Sequence, residues 1–223
     1  MQRVPEPELM DGAEQASAYA QADFSEPHDR FVELFRARFG ANLTATVLDL
    51  GCGPGDICRR FARAYPECHL HAVDASRPML ELGRRDSEAL GLQDRICFIQ
   101  AHLPAAELPQ RHYDVIMSNS LLHHLQQAET LWETIKRFGH TDTKVFVMDL
   151  LRPDTVEQAA RLVDDYAMDE TEILRQDFFN SLCAAYRPDE VARQLREQGL
   201  DELEVEVVSD RHLIVCGCLT GMD

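Results

Sequence analysis

Asp49, Gly51, Gly53, Gly55 and Asp56 lie close together in the stretch TVLDLGCGPGD, Thr46 to Asp56. Glycines at alternate positions permit a sharp turn and leave no side chain between the backbone and a ligand. A dinucleotide would set its pyrophosphate on the helix that follows and would want a third glycine at the G-x-G-x-x-G spacing. Counted from Gly51, that position is Asp56, whose carboxylate would repel a diphosphate. Asp49 adds negative charge just before the turn. The favoured chemistry is retention of a cationic nucleoside without phosphate.

The flanking residues supply the elements such a turn needs. Thr46 to Leu50 is a strand-forming run broken only by Asp49, and Ile57, Phe61 and Ala64 open an amphipathic helix. S-adenosylmethionine (SAM), with its adenosine, sulfonium and amino-acid tail, suits this strand–turn–helix unit. The stretch closely resembles motif I of the class I SAM-dependent methyltransferases, which is an acid, a spacer and then G-x-G-x-G.

Further segments extend the resemblance from Thr46 to Leu219. His69 to Asp74 (HLHAVD) reads as a second strand, and its final acid lies at the distance expected of a ribose-binding carboxylate. The resemblance gives Asp74 that role and sets Met79 against the adenine. Arg95 to Gln100 reads as a third strand, after which the family usually has a small residue and an acid; here Ala101 and His102 follow. The adenine contact then falls to His102 or to the backbone N–H of Leu103. Tyr113 to Ser118 reads as a fourth strand, followed by Asn119-Ser120-Leu121-Leu122-His123-His124-Leu125. This segment resembles motif IV of the small-molecule methyltransferases and lacks the N-P-P-Y form of adenine and many amide N-methyltransferases. Adjacent helical side chains point about 100° apart, so one of the two histidines is expected to face the pocket, and His124 is chosen.

The implied fold class is α/β: a Rossmann-like, doubly wound, seven-stranded and mostly parallel sheet of strand order 3-2-1-4-5-7-6, ending in an antiparallel hairpin. Lys144 to Leu150 reads as its fifth strand. A two-helix insertion, residues 154–187, intervenes before the next sheet-packing helix and is expected to roof the acceptor pocket. Residues 1–45 are expected to form an N-terminal helical cover on the methyltransferase domain, 46–223. The first part, to about Gln15, reads as mobile, and Ala16 to Phe39 as helical in two pieces around Pro27.

The expected cofactor residues are Tyr19, Asp49, Gly51, Cys52, Gly53, Asp74, Ala75, Met79, His102, Leu103 and Asn119. Asn119 and Arg152 are expected to touch the acceptor, with His124 and then Tyr166 as the bases to test. A thiolate or carboxylate acceptor needs no base, whereas a hydroxyl or protonated amine does.

Composition narrows the partners. The 223 residues suffice for one α/β domain, and 45% hydrophobic with 27% charged residues is a globular balance. A formal net charge of −17, without a basic cluster, argues against DNA and a large RNA substrate, and the motif IV resemblance implies a small-molecule acceptor. Seven cysteines with no C-x-x-C pair suggest reduced thiols and no metal site. No apolar run spans a bilayer and the start MQRVPEPELMDG does not read as a signal peptide, so no membrane association and a cytoplasmic location are expected. A homodimer is left open. The rival readings are an RNA-modifying methyltransferase, a non-catalytic SAM-binding partner subunit and an NAD-dependent oxidoreductase.

Overall fold

The computed structural model of the chain describes residues 1–6, 24–104 and 107–221. Its elements are α1 (Ser25–Phe39), β1 (Thr46–Leu50), α2 (Asp56–Ala64), β2 (His69–Asp74), α3 (Arg77–Ala89), β3 (Ile96–Gln100), β4 (Val115–Asn119), a 3₁₀ turn (Leu122–His124), α4 (Glu129–Phe138), β5 (Lys144–Leu150), α5 (Val156–Ala167), α6 (Glu172–Ala184), α7 (Pro188–Glu197), β6 (Glu204–Val207) and β7 (His212–Cys218). The seven strands form one sheet in the order β3-β2-β1-β4-β5-β7-β6. β1 to β5 pair in parallel, whereas β7 runs antiparallel to both β5 and β6. The expected order, terminal hairpin and β5 limits are all present.

Both faces of the central strands are covered, so their residues divide by parity. Val47, Met117, Phe146 and Met148 join the cluster beneath α1 and α2. Leu48, Ile116, Val145 and Val147 join the opposite cluster with Trp132 of α4 and Leu195 of α7. Continuous apolar runs are what a parallel strand buried on both sides requires. Full burial of each such side chain contributes about 1.5–3 kcal/mol.

Of the expected helical cover, the described residues hold α1. α1 runs through Pro27 without breaking there, because a first-turn residue has no intrahelical N–H bond to lose. Phe31 of α1 packs edge-on against Phe146, with ring centroids 4.9 Å apart. Tyr19 and the rest of the expected first piece up to residue 23 lie outside the described residues.

Residues 1–6 depart from the expectation of a mobile start. Val4 N–H donates to Cys183 O at 3.0 Å, Arg3 donates to Ala184 O, His123 O and Leu125 O, and its guanidinium lies 4.1 Å from the Tyr186 ring centroid. The segment is docked by backbone bonds and one arginine, neither of which leaves a hydrophobic period in the sequence. No helix among the described residues is long and apolar enough to cross a membrane.

Candidate active site

Parallel register brings the carboxyl ends of β1, β2 and β4 together. Leu50 is level with Val73 on one side and Ser118 on the other. The chain leaves β1 toward β2 and returns to β4 on β1's far side, so a crevice opens at this reversal, where doubly wound sheets hold ligands. A cavity of about 640 Å³ occupies it and runs on beneath α5 and α6.

The glycine turn forms the floor. Gly53 and Gly55 have φ of 51° and 74°, a left-handed conformation that glycine adopts without steric cost. A Cβ on Gly55 would come within 2.7 Å of the Phe98 ring, so close packing as well as φ demands glycine there. A Cβ on Gly53 would meet no protein atom within 4 Å and would stand in the cavity that Gly53 lines.

Four carboxylates around the site have different fates. Asp74 Oδ2 accepts from Gly53 N–H and Oδ1 from Ser76 N–H, both at 2.8 Å, which orients the group at the end of β2. Asp49 is buried and accepts from the Cys58 thiol at 2.9 Å. Burial raises its pKa to about 7, and Asp74 pushes the same way against the thiol's hydrogen bond. Asp56 corrects the sequence reading. His28 Nδ1 and Arg60 Nε both lie 2.7 Å from its Oδ2. Burial would raise its pKa, but these partners hold it below the usual carboxylate range. Its charge is therefore compensated within the protein, and the repulsion of a diphosphate rests on Asp49 and Asp74. Asp149, at the end of β5, accepts from Leu122 N–H and Leu150 N–H at 2.7 Å and lies 2.5 Å from His123 Nδ1. Burial raises its pKa, yet His123 outweighs that and the net shift is downward.

The turn after β4 is tight. Ser120 takes φ of 54°, which costs a non-glycine residue about 1–2 kcal/mol, and its N–H bonds to Met148 O at 2.9 Å. The 3₁₀ turn then carries His123 and His124. Both rings line the cavity, tilted by 36° with centroids 4.2 Å apart, so the expectation that only one faces the pocket does not hold. A single short turn lets the rings converge on one neighbour, Glu6. Glu6 Oε1 lies 3.2 Å from His124 Nδ1, 3.5 Å from His123 Nε2 and 3.0 Å from Ser181 Oγ. Burial disfavours a charged His123, but Asp149 and Glu6 outweigh it and its pKa is raised. Burial also pushes the Glu6 carboxyl up, against His123 and Ser181.

Of the expected cofactor residues, Asp49, Gly51, Cys52, Gly53, Asp74, Ala75, Met79, His102, Leu103 and Asn119 all line the cavity. Tyr19 is outside the described residues. Asn119 Oδ1 is buried with no hydrogen-bond partner, while its amide nitrogen donates to Ser120 Oγ at 3.2 Å. The orphaned oxygen suits an ammonium group, and the space at Gly53 suits a ligand pressed against backbone. The residues present fit SAM.

At the end beneath α5 and α6, Tyr166, Leu174, Asp177, Phe178 and Ser181 line the cavity. Thr155 caps α5 and Thr171 caps α6 by accepting a backbone N–H. The Tyr166 hydroxyl donates to Asp210 at 2.7 Å, and this bond is the largest cause of its raised pKa, which makes it a poor base. His212 is pushed down to about 4 by burial, then by Arg211, and is neutral at physiological pH. Arg152 is a second correction: it does not line the cavity. Its guanidinium donates to Ala185 O at 3.1 Å and Glu190 Oε1 at 2.7 Å. It clamps the ends of the α5–α6 insertion together, which the need to close that excursion at its base explains. Glu6 and Asp149 were not foreseen; Asp149 alone had a sequence signal, an acid ending a strand at the ligand edge.

The family described as "Methyltransferase domain" matches residues 47–142, which include the glycine turn, Asp74 and the strand-four segment. Residues 47–142 thus carry a methyltransferase domain, within a fold shared with SAM-dependent methyltransferases. A release factor glutamine methyltransferase of Rhodopirellula baltica is 30% identical over 134 residues, 60% of this chain but only 44% of that protein. Among solved structures, a putative SAM-dependent methyltransferase from Methanococcus maripaludis superposes with a TM-score of 0.74 at 18% identity, covering 99% of each chain. The plantazolicin methyltransferase BpumL in complex with S-adenosylhomocysteine gives 0.64 at 14% identity, covering 86% of this chain and 82% of that one. At these identities the structural likeness concerns the fold.

Proposed function

We propose that this chain moves the methyl group of SAM to a small-molecule acceptor bound beneath α5 and α6. The supporting observation is one continuous cavity that joins the glycine turn to a roof bearing Asp177, Phe178 and Ser181. At about 640 Å³ it falls in the usual range for small-molecule sites. A net charge of −17 disfavours a polyanionic acceptor.

When bound, SAM supplies a methyl on a sulfonium, set up for in-line displacement with a neutral thioether leaving. The protein's task is then alignment and exclusion of water. Asp74 would hold the ribose hydroxyls, Met79 would lie against the adenine and Asn119 Oδ1 would receive the ammonium of the tail. Leu174 and Phe178 would keep water from the acceptor, and the turn bearing His123 and His124 would meet it. Asn119-Ser120-Leu121-Leu122 in place of N-P-P-Y counts against an amide acceptor. All seven cysteines are unpaired, which supports a reducing, cytoplasmic setting.

The test is an acceptor panel of small thiols, amines, phenols and carboxylates, with release of S-adenosylhomocysteine as the readout. One chemical class should raise release well above the acceptor-free rate. Release with RNA alone would move the protein to the RNA-modifying reading, and none with any acceptor would make it a binding protein.

A further inference from the structure

Glu6, His123 and His124 offer three donor atoms that all lie within 4.8 Å of one another, the one such group of His, Cys, Asp or Glu among the described residues. His123 and His124 line the cavity, and Glu6 lies against both and against Ser181, which lines it too. Two edges of the triangle are 3.5 Å, His123 Nε2 to Glu6 Oε1, and 3.2 Å, His124 Nδ1 to the same oxygen. Ligands at about 2.1 Å from a tetrahedral zinc-type ion stand about 3.4 Å apart. The two edges already have that length.

The second shell has the matching form. Asp149 Oδ1, 2.5 Å from His123 Nδ1, places that ring's proton on Nδ1 and turns the Nε2 lone pair toward Glu6. Asp149 is itself fixed by Leu122 N–H and Leu150 N–H. A histidine whose far nitrogen is held by a carboxylate is the usual arrangement behind a ligating imidazole. Arg3, bonded to the carbonyls of His123 and Leu125, holds the segment that presents Glu6.

Glu6 Oε1 also accepts from Ser181 Oγ, and a carboxylate oxygen has two lone pairs. A metal ion would take one lone pair from each ring and one from the carboxylate. The side chains of His123, Glu6 and His124 are 2%, 10% and 15% exposed, dry enough for a cation to be held firmly.

We infer that Glu6, His123 and His124 bind one divalent transition-metal ion of the zinc type, with a further coordination position open to the cavity. Two imidazoles and one carboxylate suit Zn²⁺ or Co²⁺, and three protein ligands leave room for one more. That position would take an oxygen, nitrogen or sulfur of the acceptor, which points to acceptors able to coordinate a metal. The acceptor's part in this rests on the function proposed above; the ion site does not. The ion undergoes no redox change.

The full chain, stripped with a chelator, would be dialysed against Zn²⁺ or Co²⁺ and its metal content measured by mass spectrometry. The expected result is one equivalent per chain, with cobalt d–d bands and no thiolate charge-transfer band. Glu6→Gln, a near-isosteric change on an extended segment, should weaken binding at least tenfold, as should His124→Ala. Asp149→Asn should weaken it by about 10–100-fold although it touches no ion. SAM affinity measured by calorimetry on the Glu6→Gln protein should stay within about twofold of wild type, which separates failure of the metal site from failure of the SAM reading. No saturable metal binding, a thiolate-bound cobalt spectrum, or undiminished affinity in Glu6→Gln would overturn the inference and leave a cluster that holds protons only.

Discussion

Asp74→Ala is expected to lower SAM affinity by about two orders of magnitude while the chain stays folded. A hydrogen bond to a charged group contributes about 1.5–3 kcal/mol, and two ribose hydroxyls can share one carboxylate. Even at the low end the sum is about 3 kcal/mol, or roughly 100-fold in Kd. The substitution also removes the acceptor for Gly53 N–H and Ser76 N–H, so the empty turn loosens. Asp74→Asn keeps the shape and one acceptor oxygen, and its loss should be intermediate. Calorimetry on the three proteins, with thermal melts to confirm folding, decides the matter. Equal affinity in wild type and Asp74→Ala would mean that the ribose is held elsewhere.

SAM affinity is expected to rise about tenfold between pH 6 and pH 8, and Asp49 is expected to be the reason. Its pKa is raised to about 7 by burial and by Asp74. Near pH 6 the empty site therefore holds it mostly neutral, and near pH 8 mostly ionised. A cationic ligand favours the ionised form, so binding expels a proton below the pKa and becomes weaker as pH falls. Asp49→Asn removes the titration and should flatten this part of the profile. The proton released should appear as a buffer-dependent heat near pH 6 in wild type and not in the variant. A wild-type profile that matches the Asp49→Asn profile would show that the cation does not sense this carboxylate.

These two acids were legible because strand and turn periodicity puts them at carboxyl ends of strands. The same local rules gave the limits of β5 and the final hairpin. What sequence spacing could not supply was pairing between distant segments. Asp56 reads as an unpaired charge beside the turn, yet His28 from α1 lies 2.7 Å from its carboxylate. Arg152 reads as a polar tip at the pocket mouth, yet Glu190 draws it beneath the insertion. Glu6 lies in a proline-rich start without periodicity, and its place depends on bonds to α6 and the 3₁₀ turn. Both histidines face the cavity because Glu6 and Asp149 hold their rings, which helical geometry alone does not foretell.

The most direct test is a crystal structure grown with S-adenosylhomocysteine. The product should lie across the carboxyl ends of β1, β2 and β4, with its ribose hydroxyls on Asp74 and its ammonium on Asn119 Oδ1, leaving open space beneath α5 and α6. Product bound outside this crevice, or with its ribose turned away from Asp74, would contradict the assignment of the glycine turn as the seat of the methyl donor.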